Sequence, residues 1–301
     1  MNYCNKPRLL FMLSRFTFDS LIANALFVLI LSANPISAFA DINSARLAME
    51  DTTNPLLLFG TSRGDIYVEM FPQESPNNVQ HFIALAAGEI EILDPALNNS
   101  FRPRYFDGMR FHRVIPGFIV QAGSPAYHSL GAPSAVLADE INADALGLNQ
   151  LKVLNPDGSF NSMLNITSKN DFDSEILQPL YRGLGITGID ALESRQDEVL
   201  QALQQMTVKQ VYENQGFRYR TGFQSRPIVR GIVALANQGP DSNGPEFFIS
   251  LGDSSTLTGK YTVIGKVVEG MEIVDAIGEL AIDPMQFSRQ STVIYSVTSI
   301  E

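Results

Sequence analysis

Eight short runs of β-type residues, each closed off by a turn signal, constrain this chain more than any other feature. Leu56 to Phe59 and Asp65 to Phe71 flank a turn at Ser62-Arg63-Gly64, and Ile66, Val68 and Met70 alternate with Tyr67 and Glu69. Further runs lie at Met109 to Ile115, Phe118 to Gln121, Gly231 to Ala236, Phe247 to Leu251, Thr262 to Val267 and Thr292 to Thr298. Two helical segments accompany them. Ser75-Pro76 reads as a helix start, a capping hydroxyl followed by proline at the first helical position. Val79, Phe82, Ile83 and Ala86 then share one face, and Gly88 ends the helix. Met271 to Ile277 forms the second. This set predicts a mainly β fold: a closed, eight-stranded antiparallel barrel capped by two helices.

Between the strands lies a segment of different character, Asn142 to Arg226. It holds a turn at Asn155-Pro156-Asp157-Gly158, an acidic stretch at Asp171, Asp173 and Glu175, and a helical pattern over Glu193 to Glu213 with Val199, Leu203 and Met206 on one stripe. It reads as a partly helical insertion (residues 142–226) within one domain spanning residues 41–301, not as a domain of its own.

Residues 1–40 read as an address. Lys6, Arg8 and Arg15 precede the apolar run Leu21 to Ser32, and Ser37-Ala38-Phe39-Ala40 supplies a small-x-small cleavage pattern. Cleavage after Ala40 is expected, with an uncleaved anchor as the alternative. The run is interrupted by Asn24 and stopped by Asn34-Pro35, which makes it short for a bilayer span. The chain's single cysteine, Cys4, falls in this segment, so the mature protein is expected to fold without disulfides in an oxidising compartment. That compartment is the periplasm in a Gram-negative cell, and otherwise the secretory route or the exterior. Contact with a membrane is expected only during export. A formal net charge of −11 argues against a nucleic-acid partner.

Two segments carry chemistry: Phe111-His112-Arg113-Val114-Ile115-Pro116-Gly117-Phe118-Ile119-Val120-Gln121-Ala122-Gly123, and Ala236-Asn237-Gln238-Gly239-Pro240-Asp241-Ser242-Asn243-Gly244-Pro245-Glu246-Phe247-Phe248-Ile249-Ser250. In these, and over Pro55 to Glu140 and Pro227 to Ile300, the chain resembles the cyclophilin family of peptidyl-prolyl cis–trans isomerases. The resemblance implies catalysis by Arg113, with Gln121 orienting it and contacting the substrate backbone. It implies a proline pocket lined by Phe118, Ile119, Phe248 and Leu257, with Glu246 and Tyr261 at the site. Ala236 and Asn237 match the strand that pairs with the substrate, though Asn237 also reads as an ordinary turn residue. The implied partners are proline-containing polypeptides, acted on by a monomer with no cofactor or metal.

Such a site needs no nucleophile. Resonance sets a barrier of about 18–20 kcal/mol to rotation of a peptide bond, and an X–Pro bond populates both isomers. A donor near the prolyl nitrogen favours the twisted state, in which that nitrogen regains its lone pair.

His112 neighbours Arg113 on a strand and so is expected to face the core as a structural residue. His81 and His128 have no ligand partners in sequence, and the spacing of Asp171, Asp173 and Glu175 lacks the glycine and terminal glutamate of a calcium loop. The chain departs from the family pattern at four places. Glu246 stands where glutamine is usual, and is read as able to pair with Arg113, orienting or neutralising it. Ser124 replaces an aspartate and is read as neutral. Tyr261 replaces a histidine. Thr256 replaces a tryptophan of cyclosporin-sensitive members, and no tryptophan occurs anywhere in the chain, which implies weaker inhibitor contact. Two other functions fit less of the sequence: a scaffold that binds prolyl peptides with little turnover, and a chaperone working through the insertion.

Overall fold

The computed structural model describes residues 40–94, 97–133, 135–280, 282 and 291–300. The basic residues, the apolar run, Cys4 and Ser37 to Phe39 of the expected leader lie outside the described residues. In chain order, helix α1 (Ile42–Ala48) precedes the hairpin β1 (Leu56–Thr61) and β2 (Gly64–Met70), helix α2 (Pro76–Ala87) and a small separate hairpin, β3 (Ile92–Asp94) with β4 (Asn99–Phe101). Strands β5 (Arg113–Ile115) and β6 (Ile119–Ala122) lead into the long connection. Then come β7 (Ile232–Leu235), β8 (Phe247–Ser250), β9 (Val263–Glu269), helix α8 (Met271–Gly278) and β10 (Ile294–Ile300). The connection itself carries α3 (Lys169–Phe172), α4 (Gln178–Gly183), α5 (Ile189–Ser194), α6 (Gln196–Gln205) and α7 (Val208–Asn214).

All eight expected runs contribute strands to one antiparallel sheet, in the order β10-β1-β2-β9-β7-β8-β6-β5. The sheet is an open half-barrel, not the closed barrel expected from the sequence. The run Met109 to Ile115 explains the difference, because it divides. Its first half bonds toward β10, with Phe111 N–H donating to Thr292 O at 3.0 Å and Ile294 N–H to Met109 O at 2.7 Å. Its second half pairs with β6, Arg113 opposite Gln121 and Ile115 opposite Ile119. Between the two edge strands there is therefore an isolated bridge, Arg110 to Val293, where a ladder would be needed for closure.

Alternation along the strands fills the core. Leu57, Phe59, Ile66, Val68, Met70 and Phe247 are fully buried, and Phe82 of α2 packs on Phe106 with ring centroids 4.6 Å apart. Tyr67 and Glu69, which alternate with these, are buried too, Tyr67 packed with Ala45 of α1 and Glu69 under the segment that follows α1. Glu69 accepts from the backbone N–H groups of Glu50 at 2.8 Å and Asp51 at 3.0 Å and from Asn54 Nδ2 at 2.8 Å, which satisfies its buried carboxylate.

Helix α2 ends as expected, at Gly88 in the left-handed conformation (φ 76°). Its start differs. The Ser75 hydroxyl makes no cap; it donates to Val263 O of β9 at 2.7 Å. The first-turn donors go instead to the buried Glu140, which accepts from Asn77 N–H at 3.3 Å and Asn78 N–H at 3.0 Å and from both side-chain amides. A carboxylate at a helix N-terminus meets both the orphan N–H groups and the positive end of the dipole.

The long connection gathers Val153, Leu164, Ile176, Leu180, Val199, Met206, Val211 and Tyr212 into an apolar cluster of its own. The helix expected over Glu193 to Glu213 is broken into the end of α5, α6 and α7. Met206 is extended, its carbonyl accepts from Val153 N–H at 3.1 Å, and Thr207 with Gln210 forms a capping box that starts α7. The ends of the segment are tied together, Asn142 Nδ2 donating to Phe223 O at 2.6 Å and Arg220 N–H to Ile141 O at 2.8 Å. Arg226 closes it, bonded to Glu74 and Glu50 and lying 3.7 Å over the Phe71 ring. Among the described residues no helix is long and apolar enough to cross a membrane.

Glu140→Gln is expected to lower stability by about 1–3 kcal/mol, since it withdraws acceptor capacity from buried donors, and Ser75→Ala by about 1 kcal/mol. Urea unfolding of both variants checks this; a larger loss in Ser75→Ala would return the capping role to the hydroxyl.

Candidate active site

Period-two alternation gives strands β6, β7 and β8 a second apolar face. Val120, Ala122, Val233, Leu235, Phe247 and Ile249 point into the core, so Ile119, Gln121, Ile232, Ala234 and Phe248 point outward. The outward set joins Phe71, Ile228 and Val263 in a distinct cluster, around which Ile115, Phe118, Ala236, Leu257 and Tyr261 are only partly buried. The structure thus brings together Phe118, Ile119, Phe248 and Leu257, expected from the resemblance to line one pocket, with Ala236, expected on the substrate-pairing strand, and Tyr261, expected at the site. Ile119 and Phe248, each 3% exposed, form its floor. Tyr261 stands edge-on to Phe248 with centroids 5.4 Å apart.

Arg113 shares this outer face, because Val114 beside it turns into the core. Its Nη1 donates to Gln121 Oε1 at 3.0 Å. Burial pushes the Tyr261 hydroxyl's pKa up, and the Arg113 charge opposes that shift. The guanidinium therefore lies at the edge of the slot, half-buried and tethered by a neutral acceptor, with no carboxylate paired to it among the described residues.

Glu246 lies elsewhere than one of the sequence readings put it. Its Oε1 accepts from Gln121 Nε2 at 2.5 Å and lies 3.0 Å from His112 Nε2, and the Ser124 side chain also bonds to it. No ion pair between Glu246 and Arg113 occurs among the described residues. Burial alone would push its carboxyl up; the bonds from His112, Gln121 and Ser124 outweigh it and hold the group below the usual carboxylate range. His112 is buried as expected, yet it touches the site through this carboxylate. Ser124, read as neutral, is one of its donors.

Asn237 follows the end of β7. Its side chain donates to Lys260 O at 2.9 Å and accepts from Gly239 N–H at 3.3 Å, as a turn residue does. A cavity of about 470 Å³ adjoins the slot, lined by Gln121, Pro125, Pro133, Ala236, Asn237 and Glu246 among others. His128 stacks on Tyr105 at 4.3 Å, and burial lowers its pKa and that of His81. Asp171 serves as the capping partner of Ser168.

The long connection supports one wall of the slot, a contact the sequence did not announce. The segment from Ser255 to Tyr261 carries Leu257 and Tyr261. Tyr219 donates its hydroxyl to Gly259 O at 2.9 Å, and Lys260 Nζ lies 4.7 Å over the Tyr212 ring. Gly259 has φ +86°, and a Cβ there would come within 2.5 Å of Leu148 Cδ1. Both tyrosines sit in a region without a motif, so no pattern in the sequence marks them.

The family model for cyclophilin type peptidyl-prolyl cis-trans isomerases matches residues 56–299. The chain belongs to that family, and its activity class is peptidyl-prolyl cis–trans isomerisation. Peptidyl-prolyl cis-trans isomerase B of Streptomyces anulatus is 26% identical over 226 residues, covering 74% of this chain and 83% of the relative. Peptidyl-prolyl cis-trans isomerase A of Mycobacterium tuberculosis is 24% identical over 240 residues, 79% and 88% of the two chains. A crystal structure of a Cryptosporidium parvum cyclophilin type peptidyl-prolyl cis-trans isomerase aligns over 82% of this chain and 98% of its own, at 18% identity and a TM-score of 0.46.

Tyr219→Phe is expected to lower stability by about 1 kcal/mol and to speed amide exchange at Lys260. Hydrogen-exchange mass spectrometry over 255–261 checks this; an unchanged rate would mean that packing alone holds the wall.

Proposed function

We propose that this chain isomerises X–Pro bonds of exported polypeptides by non-covalent catalysis at the slot between Arg113 and Phe248. The observation that carries the reading is a tethered guanidinium at the rim of an apolar floor. A pyrrolidine ring on Ile119 and Phe248, walled by Phe118, Leu257 and Tyr261, buries apolar surface in either isomer and so contributes mainly to binding. Acceleration must come from what the twisted imide alone receives. In that state the nitrogen is pyramidal and basic, and an Arg113 N–H directed at it stabilises the barrier top while neither planar isomer can accept.

A 10⁵-fold acceleration corresponds to about 7 kcal/mol of such preference. A half-buried charge held by Gln121 is suited to this, since little reorganisation is left to the reacting moment. The Ala236 N–H already donates to Glu246 O at 2.8 Å, so it is the main chain at Asn237 that offers an extended peptide its backbone partners, and a peptide running that way reaches the adjoining cavity. The scaffold reading drew on Glu246 and on the insertion; of these, Glu246 bonds to Gln121, His112 and Ser124 and not to Arg113.

Export rests on the leader pattern at residues 1–40. Asp41 caps α1, accepting from Ser44 N–H at 3.2 Å, so a chain that begins there retains its first helix.

Arg113→Ala is expected to lower kcat/KM on an Ala-Pro peptide by about 100-fold in a protease-coupled assay, while peptide binding survives. Full activity in that variant would remove the arginine from the mechanism. N-terminal sequencing of chain recovered from an exporting host should begin at Asp41; retention of Met1 would support the anchor instead.

A further inference from the structure

The side-chain amide of Gln121 sits between two groups of opposite demand. Arg113 Nη1, which can only donate, reaches its Oε1 at 3.0 Å; Glu246 Oε1, which as a carboxylate can only accept, takes its Nε2 at 2.5 Å. The two ends of an amide are alike in shape and opposite in polarity, so its orientation is decided by what faces each end. Turned over, Gln121 would set its NH₂ against a guanidinium and its carbonyl against a carboxylate, and both bonds would become repulsions.

We infer that Glu246 is a positioning residue for the isomerisation: it locks the orientation of the Gln121 amide and, through it, holds Arg113 at the slot. This rests on the isomerase reading above. The effect of Glu246 passes through one side chain to the next.

The carboxylate is itself held from the far side. His112 is 4% exposed, its ring lies 4.9 Å from that of Tyr127, and its Nδ1 has no partner among the described residues. The ring's proton therefore belongs on Nε2, aimed at the same Glu246 oxygen that receives Gln121. Ser124 supplies a third donor. Two departures from the family pattern thus meet: a hydroxyl donor stands at 124 where aspartate is usual, and the carboxylate stands at 246 where glutamine is usual. A glutamine at 246 can offer Gln121 either end, which leaves one side of the lock undetermined. A carboxylate cannot.

The test measures kcat and KM separately, by exchange NMR on an Ala-Pro peptide, for the wild type, Glu246→Leu and Glu246→Gln. Loss of the lock should lower kcat of Glu246→Leu by about tenfold with KM unchanged. Glu246→Gln should recover an intermediate kcat, because its carbonyl can still accept from Gln121. The Gln121 side-chain amide supplies a second readout that needs no turnover and only the isosteric variant: its hydrogen-bonded proton should move upfield in Glu246→Gln. Wild-type kcat in Glu246→Leu, a loss confined to KM, or an unmoved Gln121 proton overturns the proposal and leaves the isomerase reading standing. A wild type that fails to turn the peptide over overturns that reading, and this proposal with it.

Discussion

The two-faced character of strands β6, β7 and β8 is the constraint on which the rest depends. In most half-buried sheets one face is apolar and the other polar. Here both are apolar over the same residues: Phe247 and Ile249 belong to the interior, while Phe248 belongs to the slot. A slot floored by a sheet is rigid, because each floor residue is fixed by a backbone ladder and by a neighbour packed on the opposite side. That rigidity matters for a reaction in which catalysis is a difference between two shapes of one substrate. On the function proposed above, a floor that followed the substrate through its twist would stabilise all states alike.

Three carboxylates organise what surrounds this floor, each through N–H donors and none as a simple surface ion pair. Glu69 gathers the backbone after α1, Glu140 receives the first turn of α2, and Glu246 receives Gln121 and His112. Glu140 and Glu246 join elements far apart in sequence, Glu69 elements 15 to 19 positions apart, and each is worth more for being shielded from water, since an unmade bond there would cost the full desolvation of its partners. Glu140 also meets Arg220 of the long connection at 3.3 Å. The connection, although it has its own apolar cluster, is thereby fastened to the sheet at its ends and against the wall at Gly259 and Lys260. A segment with no motif of its own so becomes part of the surroundings of the slot.

Much of this was legible in the residues. The alternating runs predicted the strands, the Ser75-Pro76 and Gly88 signals bounded α2, and the two long motifs hold residues that lie together, Arg113 beside Gln121 and Phe118, Ile119, Ala236 and Phe248 around one face, where Leu257 and Tyr261, given by the resemblance alone, join them. These succeed because they depend on local backbone preference or on a periodicity that the chain itself carries. Closure of the barrel was not legible, because it depends on whether Met109 to Phe111 pairs with β6 or with β10, and both partners suit the same residues. The single helix over Glu193 to Glu213 failed for a similar reason. Its stripe is real, but Thr207 has a capping partner at Gln210 and Met206 has a partner at Val153, and together they outweigh continuation.

The sequence by itself determined where strands form, which of their faces are apolar and which chemistry the two motifs can support, since these follow from neighbours within a few positions. Only the tertiary structure decided what each charged side chain bonds to. His112 and Glu246 are 134 positions apart, and Asn78 and Glu140 are 62 apart. A carboxylate has no directional preference along its own chain, so its partner is set by which donors the fold leaves unpaired beside it.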